Sequence, residues 1–308
     1  MIHIFYHKRD LDGHCSGAIA RYALEKQGHE VKMWGYDYGE PFPFDKIMDG
    51  EQVYMVDITT NPYEVMIEVQ KRYDLFVIDH HKSFINSDSS VGITGLFVDG
   101  VAACQLSWHH FFVNETTPEL IRLLGEYDVW HNSDKDQWEN RIMPFQMGTR
   151  MKHTDPATNV GYDFWYAYIA SALGKSHHHQ EIEMGIWESG NTIMAYQKME
   201  DSKATALYSY EAEFEGLKAI CLNNTRFNSQ VYESVWDNTK HDIMLAWVNV
   251  KGEYCSVSLY TDKEGIDVSQ IAKEFGGGGH LQAAGFQCKN VTVQTSMTNQ
   301  KTIVIDRL

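Results

Sequence analysis

Residues 75–81 read Leu-Phe-Val-Ile-Asp-His-His, an apolar run that ends directly in an acid and two histidines. Four consecutive apolar residues, branched or aromatic, suit a strand covered on both faces, as the strands of a parallel sheet are. Working outward, residues 53–57 (Val-Tyr-Met-Val-Asp) repeat the pattern within a strand read over 52–58, which leads through Asn61-Pro62 to a helix near 63–72. At the start of the chain, residues 2–6 form a third such run, followed by a polar, glycine-containing turn and a helical stretch over 15–27. Further helical patterns lie near 102–113 and 118–127. Strands alternating with helices at this spacing predict an α/β fold whose N-terminal domain is a mostly parallel sheet with helices on both faces.

From about 163 to 199 the pattern is helical, polar on one face and without strand features, which reads as a helical connector. Beyond it, strands at 217–222, 243–250, 254–260 and 302–305 and a helix at 268–275 give a smaller C-terminal α/β domain. The expected boundaries are 1–190 for the first domain with its helical extension and 203–308 for the second. Eight Trp, 17 Tyr and 14 Phe in 308 residues exclude a disordered chain. A net charge of -16 argues against tight binding of long duplex nucleic acid, whose phosphates such a field repels. The five cysteines (Cys15, Cys104, Cys221, Cys255, Cys288) are widely spaced and unpaired by motif, and the first apolar run is too short for a signal peptide, so a cytoplasmic protein without a membrane span is expected.

The chemistry-bearing residues gather where strands end. His7, Asp10 and Asp12 follow the first strand, Asp57 ends the second strong one, and Asp79, His80 and His81 end the third. The carboxyl rim of a parallel sheet is the usual ligand crevice of α/β folds. Carboxylates meeting there without cations would repel one another, which points to bound divalent metal. Mixed histidine and carboxylate donors favour Mn²⁺, Fe²⁺ or Zn²⁺ over Ca²⁺ or Mg²⁺. Six or more ligands exceed the need of one ion, whereas two ions roughly 3.5–4 Å apart are the common device for attack on phosphorus. Capping of a following helix accounts for a single aspartate at a strand end, though not for paired histidines after a buried strand.

These motifs, His-Lys-Arg-Asp-Leu-Asp-Gly-His at 7–14, Val-Asp-Ile at 56–58, Asp-His-His-Lys-Ser at 79–83, Gly-Glu-Tyr-Asp-Val-Trp at 125–130 and Gly-Gly-Gly-Gly-His-Leu-Gln-Ala-Ala-Gly at 276–285, resemble in order and spacing those of the DHH phosphoesterase superfamily, the last belonging to its DHH-associated C-terminal domain. The resemblance implies two Mn²⁺ ions, with Mg²⁺, Co²⁺ or Fe²⁺ as alternatives. One would be held by His7, Asp10 and Asp57, the other by Asp12, Asp57, His80 and Asp128. It also implies a catalytic group of Asp57, Asp79 and His81, in which His81 faces substrate, Asp79 supports the histidines, and a hydroxide activated by both metals attacks. Asp128 enters through the resemblance alone.

Four glycines let backbone amides approach an anion, so Gly277, Gly278, Gly279 and His280 are candidate substrate-binding residues. Many members of the family carry an arginine at the end of the strand before that helix and glycine run, where this chain has Tyr260; Arg226, or stacking on Tyr260, is the candidate replacement. The first motif has two residues between His7 and Asp10 where related oligonucleotide-degrading enzymes often have three. His177, His178 and His179 read as a solvated surface run, Lys8, Arg9 and Lys82 border the expected site, and Trp130 stands out for lying two residues past Asp128.

The expected activity is metal-dependent hydrolysis of short linear oligonucleotides, di- to pentanucleotides such as pGpG or pApA, to mononucleotides. A RecJ-like exonuclease on single-stranded DNA, a pyrophosphatase or 3',5'-bisphosphate nucleotide phosphatase, and a non-catalytic nucleotide sensor are the alternatives. The expected partner is the short oligonucleotide, with no membrane and no long duplex; a homodimer stays open.

Overall fold

The computed structural model describes residues 1–174, 176–225 and 228–308. The chain divides into two compact units, Met1–Met194 and Ala195–Leu308, with the dividing point inside the helix His178–Tyr208. Among the described residues no helix is long and apolar enough to cross a membrane.

The first unit is built on five parallel strands, β1 Ile2–His7, β2 Val31–Tyr36, β3 Gln52–Val56, β4 Asp74–Asp79 and β5 Gly95–Phe97, in the order β2-β1-β3-β4-β5. Helices α1 Leu11–Lys26, α2 Val65–Arg72, α3 Lys82–Ile85, α4 Ala103–Phe111 and α5 Glu119–Asp128 complete the elements that position the site. One face of the sheet packs Ile4, Tyr6, Val56 and Ile78 under Ala20 and Leu24 of α1 and Leu106 of α4. The other packs Phe5, Val53, Met55 and Val77 under Met66 and Val69 of α2 and Phe84 of α3. Both faces are therefore apolar, which is why the central strands read as unbroken hydrophobic runs. Edge strand β2 alternates Lys32 and Gly35 with Val31, Met33 and Trp34 and is only partly buried, so its hydrophobic pattern is weak.

The second unit holds an eight-stranded mixed sheet, β6 Tyr210–Phe214, β7 Leu217–Asn223, β8 Ile243–Val250, β9 Tyr254–Tyr260, β10 Gly278–His280, β11 Ala283–Cys288, β12 Asn290–Thr295 and β13 Lys301–Asp306, ordered β10-β11-β9-β8-β7-β6-β13-β12. The helix Val268–Glu274 covers one face through Val268 and Ala272 against Leu245, Val257, Leu259 and Phe286. Four of these strands, β6, β10, β11 and β12, go beyond the sequence reading. The glycine run is correspondingly not an open loop: Gly278–His280 pairs antiparallel with Ala283–Gly285, and a Cβ at Gly279 would lie 2.5 Å from Ala284 Cα.

Candidate active site

The strand order 2-1-3-4-5 reverses direction between β1 and β3, and the crevice at such a switch point is where open α/β sheets bind ligands. Register fixes what lies there. Tyr6 pairs with Val56 and Val56 with Ile78, so the next residues along, His7, Asp57 and Asp79, form one row across three neighbouring strands. Asp57 donates its backbone N–H to Ile78 at 2.9 Å and has a left-handed backbone, φ 60°, which is uncommon for a residue other than glycine and is tolerated best by Asp and Asn. That turn aims its carboxylate into the crevice, where it is 1% exposed.

Asp10 and Asp12, read from sequence as loop residues, instead start α1. Asp10 is its N-cap, accepting from Gly13 N at 2.9 Å, and Asp12 lies in the first turn. Gly13 is required, because a Cβ there would stand 2.1 Å from the His7 carbonyl oxygen. Asp12 also accepts the N–H groups of Ala103 at 2.9 Å and Cys104 at 2.7 Å, so it clamps the start of α4 as well as facing the site.

Three overlapping groups of donor atoms result among the described residues: His7, Asp10 and Asp57; Asp12, His80 and Asp128; and Asp57, Asp79, His80 and His81. His7 Nδ1 lies 2.6 Å from Asp10 Oδ2 and 3.7 Å from Asp57 Oδ2. His80 Nε2 lies 3.2 Å from Asp128 Oδ2, 3.3 Å from Asp57 Oδ1 and 3.6 Å from Asp12 Oδ2. Asp57 thus turns one oxygen toward His7 and the other toward His80. Both oxygens of Asp57, His7 Nδ1 and His80 Nε2 are buried and lack hydrogen-bond partners of proper geometry. Buried polar atoms in folded proteins are almost always satisfied, and a cluster of orphans made of imidazole nitrogens and carboxylate oxygens fits a transition-metal site. The structure thus brings together the residues of both sets that the resemblance implies, with Asp79 and His81 beside them.

Asp79 sits apart in function. Its Oδ1 accepts from His80 N at 2.7 Å, His81 N at 3.3 Å and His81 Nδ1 at 2.7 Å. These bonds hold the backbone of both histidines and the ring of His81, whose Nδ1 donates to the carboxylate, leaving Nε2 of this one-third exposed ring outside the bond. Two neighbours went unread in the sequence because β2 did. Asp37 lies 3.6 Å from His7 Nε2, and the Tyr38 ring stands edge-on to His7 and His81 with centroids 5.6 and 6.1 Å away. Burial, with the charges of Asp79 and Asp57, pushes the Tyr38 hydroxyl up, keeping it neutral.

The basic residues at the rim are paired: Lys8 with Glu40, Arg9 with Asp37, and Lys82 with Asp99 at 3.1 Å. His177 and His178 are exposed, bonding Gln180 and Glu181. In the second unit Gly277 lines a cavity of about 690 Å³ with Phe275, Phe286, Gln287 and Arg307, while Gly278, Gly279 and His280 are not among its lining residues. Tyr260 is half-buried against the cluster of Ile220, Tyr232 and Met244. Arg226 lies outside the described residues.

Charge balance in the crevice is dominated by burial and by the opposing charges. Burial pushes the Asp57 carboxyl up to about 6, and burial with the charges of Asp57 and Asp128 raises Asp12 as well. Burial works against protonated imidazole, yet Asp10 and Asp57 lift His7 to about 10, and Asp128 and Asp57 lift His80 to about 11. Both shifts favour the protonated imidazole, so a cation bound there would compete with protons. The affinity of the site for a divalent cation is therefore expected to rise with pH through the neutral range. Titration calorimetry at pH 7 in two buffers of different ionisation enthalpy should show at least one proton released; zero release would contradict a cation displacing protons from His7 and His80.

Comparison with known proteins adds the following. Residues 228–303 match the model of the DHHA1 domain. An uncharacterised protein of Acanthamoeba polyphaga mimivirus is 22% identical over 271 residues, 78% of this chain and 54% of that protein, so the chain spans about half the length of the curated relative it matches. Among solved structures, the pGpG-specific phosphodiesterase PggH from Vibrio cholerae aligns over 93% of each chain at 12% identity with a TM-score of 0.50. The DHH domain of a member of a ribosomal-protein family aligns over 92% of this chain and 82% of that one, at 14% identity and a TM-score of 0.50. At these identities the likeness to the solved structures is one of fold.

Proposed function

We propose, from the membership of this chain in the DHH phosphoesterase superfamily with a DHHA1 C-terminal domain, that it is a Mn²⁺-dependent phosphodiesterase cleaving short linear oligonucleotides, di- to pentanucleotides such as pGpG or pApA, to mononucleotides. The observation that carries this reading is the pair of donor groups sharing Asp57, with orphaned nitrogen and oxygen atoms, at the switch point of the sheet. His7, Asp10 and Asp57 would hold one cation and Asp12, Asp57, His80 and Asp128 the other; when bound, the pair supplies Lewis acidity toward phosphoryl oxygens and lowers the pKa of the attacking water.

The side chains of the chain do the rest. Asp79 holds His81 with its Nδ1 engaged, so His81 Nε2 is the atom left to meet the leaving oxygen, to which it can give a proton only when both ring nitrogens carry one. Tyr38 walls the crevice between His7 and His81 and offers a neutral hydroxyl. The net charge of -16, with Lys8, Arg9 and Lys82 already paired, supports a small substrate over a long strand drawn along a basic channel. The Vibrio cholerae protein, specific for pGpG, is an instance of this fold serving a linear dinucleotide.

The test is a product assay with Mn²⁺ and, side by side, pGpG, pApA, a five-nucleotide RNA, a long single-stranded DNA and pyrophosphate. Release of mononucleotides from the short linear substrates alone is the expected result. Turnover of the long DNA instead would move the assignment to an exonuclease, and binding without turnover of any of them would make the protein a sensor.

A further inference from the structure

Trp130 occupies a position that the backbone reserves for glycine. Helix α5 ends at Asp128, and the next turn closes as a Schellman motif: His131 N bonds Glu126 O at 2.8 Å and Trp130 N bonds Tyr127 O at 3.1 Å. The residue at Trp130 must then be left-handed, and it is, with φ 56°. A bulky side chain there is a rarity, since glycine adopts this conformation without strain. The strain brings little burial, because Trp130 is 62% exposed. A strained tryptophan that stays largely exposed is the kind of outlier that suggests function.

Its surroundings say which function. Tyr127 and Trp138 stack on each other, with centroids 5.5 Å apart, and the Trp130 indole meets both edge-on, at 6.2 and 4.9 Å. These contacts hold the ring while leaving the indole largely open to solvent. Two chain steps place its Cα within roughly 7 Å of that of Asp128. Asp128 in turn lies 3.2 Å from His80, so the turn that carries Trp130 leads directly out of the donor cluster.

We propose that Trp130 is the stacking surface for the nucleobase attached to the phosphate bound at this site, making it a determinant of specificity for nucleotides over bare phosphoesters. This rests on the phosphodiesterase reading above. Stacking on an aromatic face tolerates any base, so the residue selects for the presence of a base more than for its identity.

The experiment compares the Mn²⁺-loaded wild type with Trp130→Ala, Trp130→Phe and Trp130→Gly, measuring calorimetric Kd for GMP and for ribose 5-phosphate and, in parallel, turnover of pGpG. Glycine suits the left-handed backbone, so that variant guards against a folding failure. The wild type should prefer GMP over ribose 5-phosphate by roughly 10- to 100-fold, and Ala and Gly should abolish that preference while leaving ribose 5-phosphate within about twofold; Phe should retain part of it. A wild type without the preference, or alanine and glycine variants that keep it, would overturn the proposal. Absence of pGpG turnover by a wild type whose base preference depends on Trp130 would remove the phosphodiesterase reading alone.

Discussion

Asp57→Asn is expected to lower kcat/KM by roughly a thousandfold or more, beyond the 10- to 100-fold typical of a residue that merely supports a ligand, while leaving the fold intact. Asparagine keeps the shape and is among the few residues that tolerate the left-handed backbone at this position. What it loses is the negative charge that two of the donor groups share, so metal analysis should show fewer than two Mn²⁺ bound. Stability supplies a second readout with a defined sign. Burial raises the folded-state pKa of Asp57 to about 6, above the ordinary carboxylate value, so ionisation destabilises the metal-free protein fully above pH 6 and not at all below about pH 4. Metal-free Asp57→Asn should accordingly melt a few degrees above the metal-free wild type at pH 8, with the gap closing near pH 4. Wild-type turnover by this variant would sink the assignment of Asp57 as the shared ligand, and a gap independent of pH would sink the account of its charge.

Gly13→Ala is expected to cost roughly 2–3 kcal/mol and to lower Tm by roughly 4–10 °C, with weakened Mn²⁺ binding. The added Cβ would meet three atoms of His7, the carbonyl oxygen at 2.1 Å, Cβ at 2.6 Å and the carbonyl carbon at 2.8 Å. Two of these are backbone atoms at the end of β1, whose preceding residues are completely buried, so the clash cannot be relieved by swinging a flexible side chain. Either α1 lifts from the sheet or His7 shifts, and both disturb the first donor group. Gly185 is the control: it lies in the helix His178–Tyr208, where an added methyl group would meet nothing within 4 Å and the φ is ordinary, so Gly185→Ala should stabilise by about 0.5–1 kcal/mol. An unchanged Tm and Mn²⁺ affinity for Gly13→Ala would show that the approach of α1 to β1 is looser than these distances imply.

The parts of this architecture that are legible in sequence are those buried on both sides. β1, β3 and β4 are continuous apolar runs because both faces of the sheet are covered, and their polar ends announce the rim. β2 escapes because an edge strand carries Lys32 and Gly35, and with it go Asp37 and Tyr38. β5 is only three residues long, and β11 (Ala-Ala-Gly-Phe-Gln-Cys) is built of small residues that carry little strand character. Asp128 is hidden for a different reason: it closes an amphipathic helix far along the chain, where an acidic residue looks like any solvated helix end, and only tertiary packing of Leu120, Ile121 and Leu124 brings it to His80. The twofold engagement of Asp12 is likewise invisible locally, since its partners on α4 are about ninety residues away.

The row of His7, Asp57 and Asp79 across three strands, completed by Asp128, also orders events in time. Donors spread from position 7 to position 128 meet only after β1, β3 and β4 have paired and α5 has docked, and each of those steps closes a long loop at an entropic cost. A cation cannot seed such a fold in the way it seeds a small zinc module, whose ligands are close together in sequence. An ion held by the full set of donors would accordingly bind the assembled unit, after these pairings are in place.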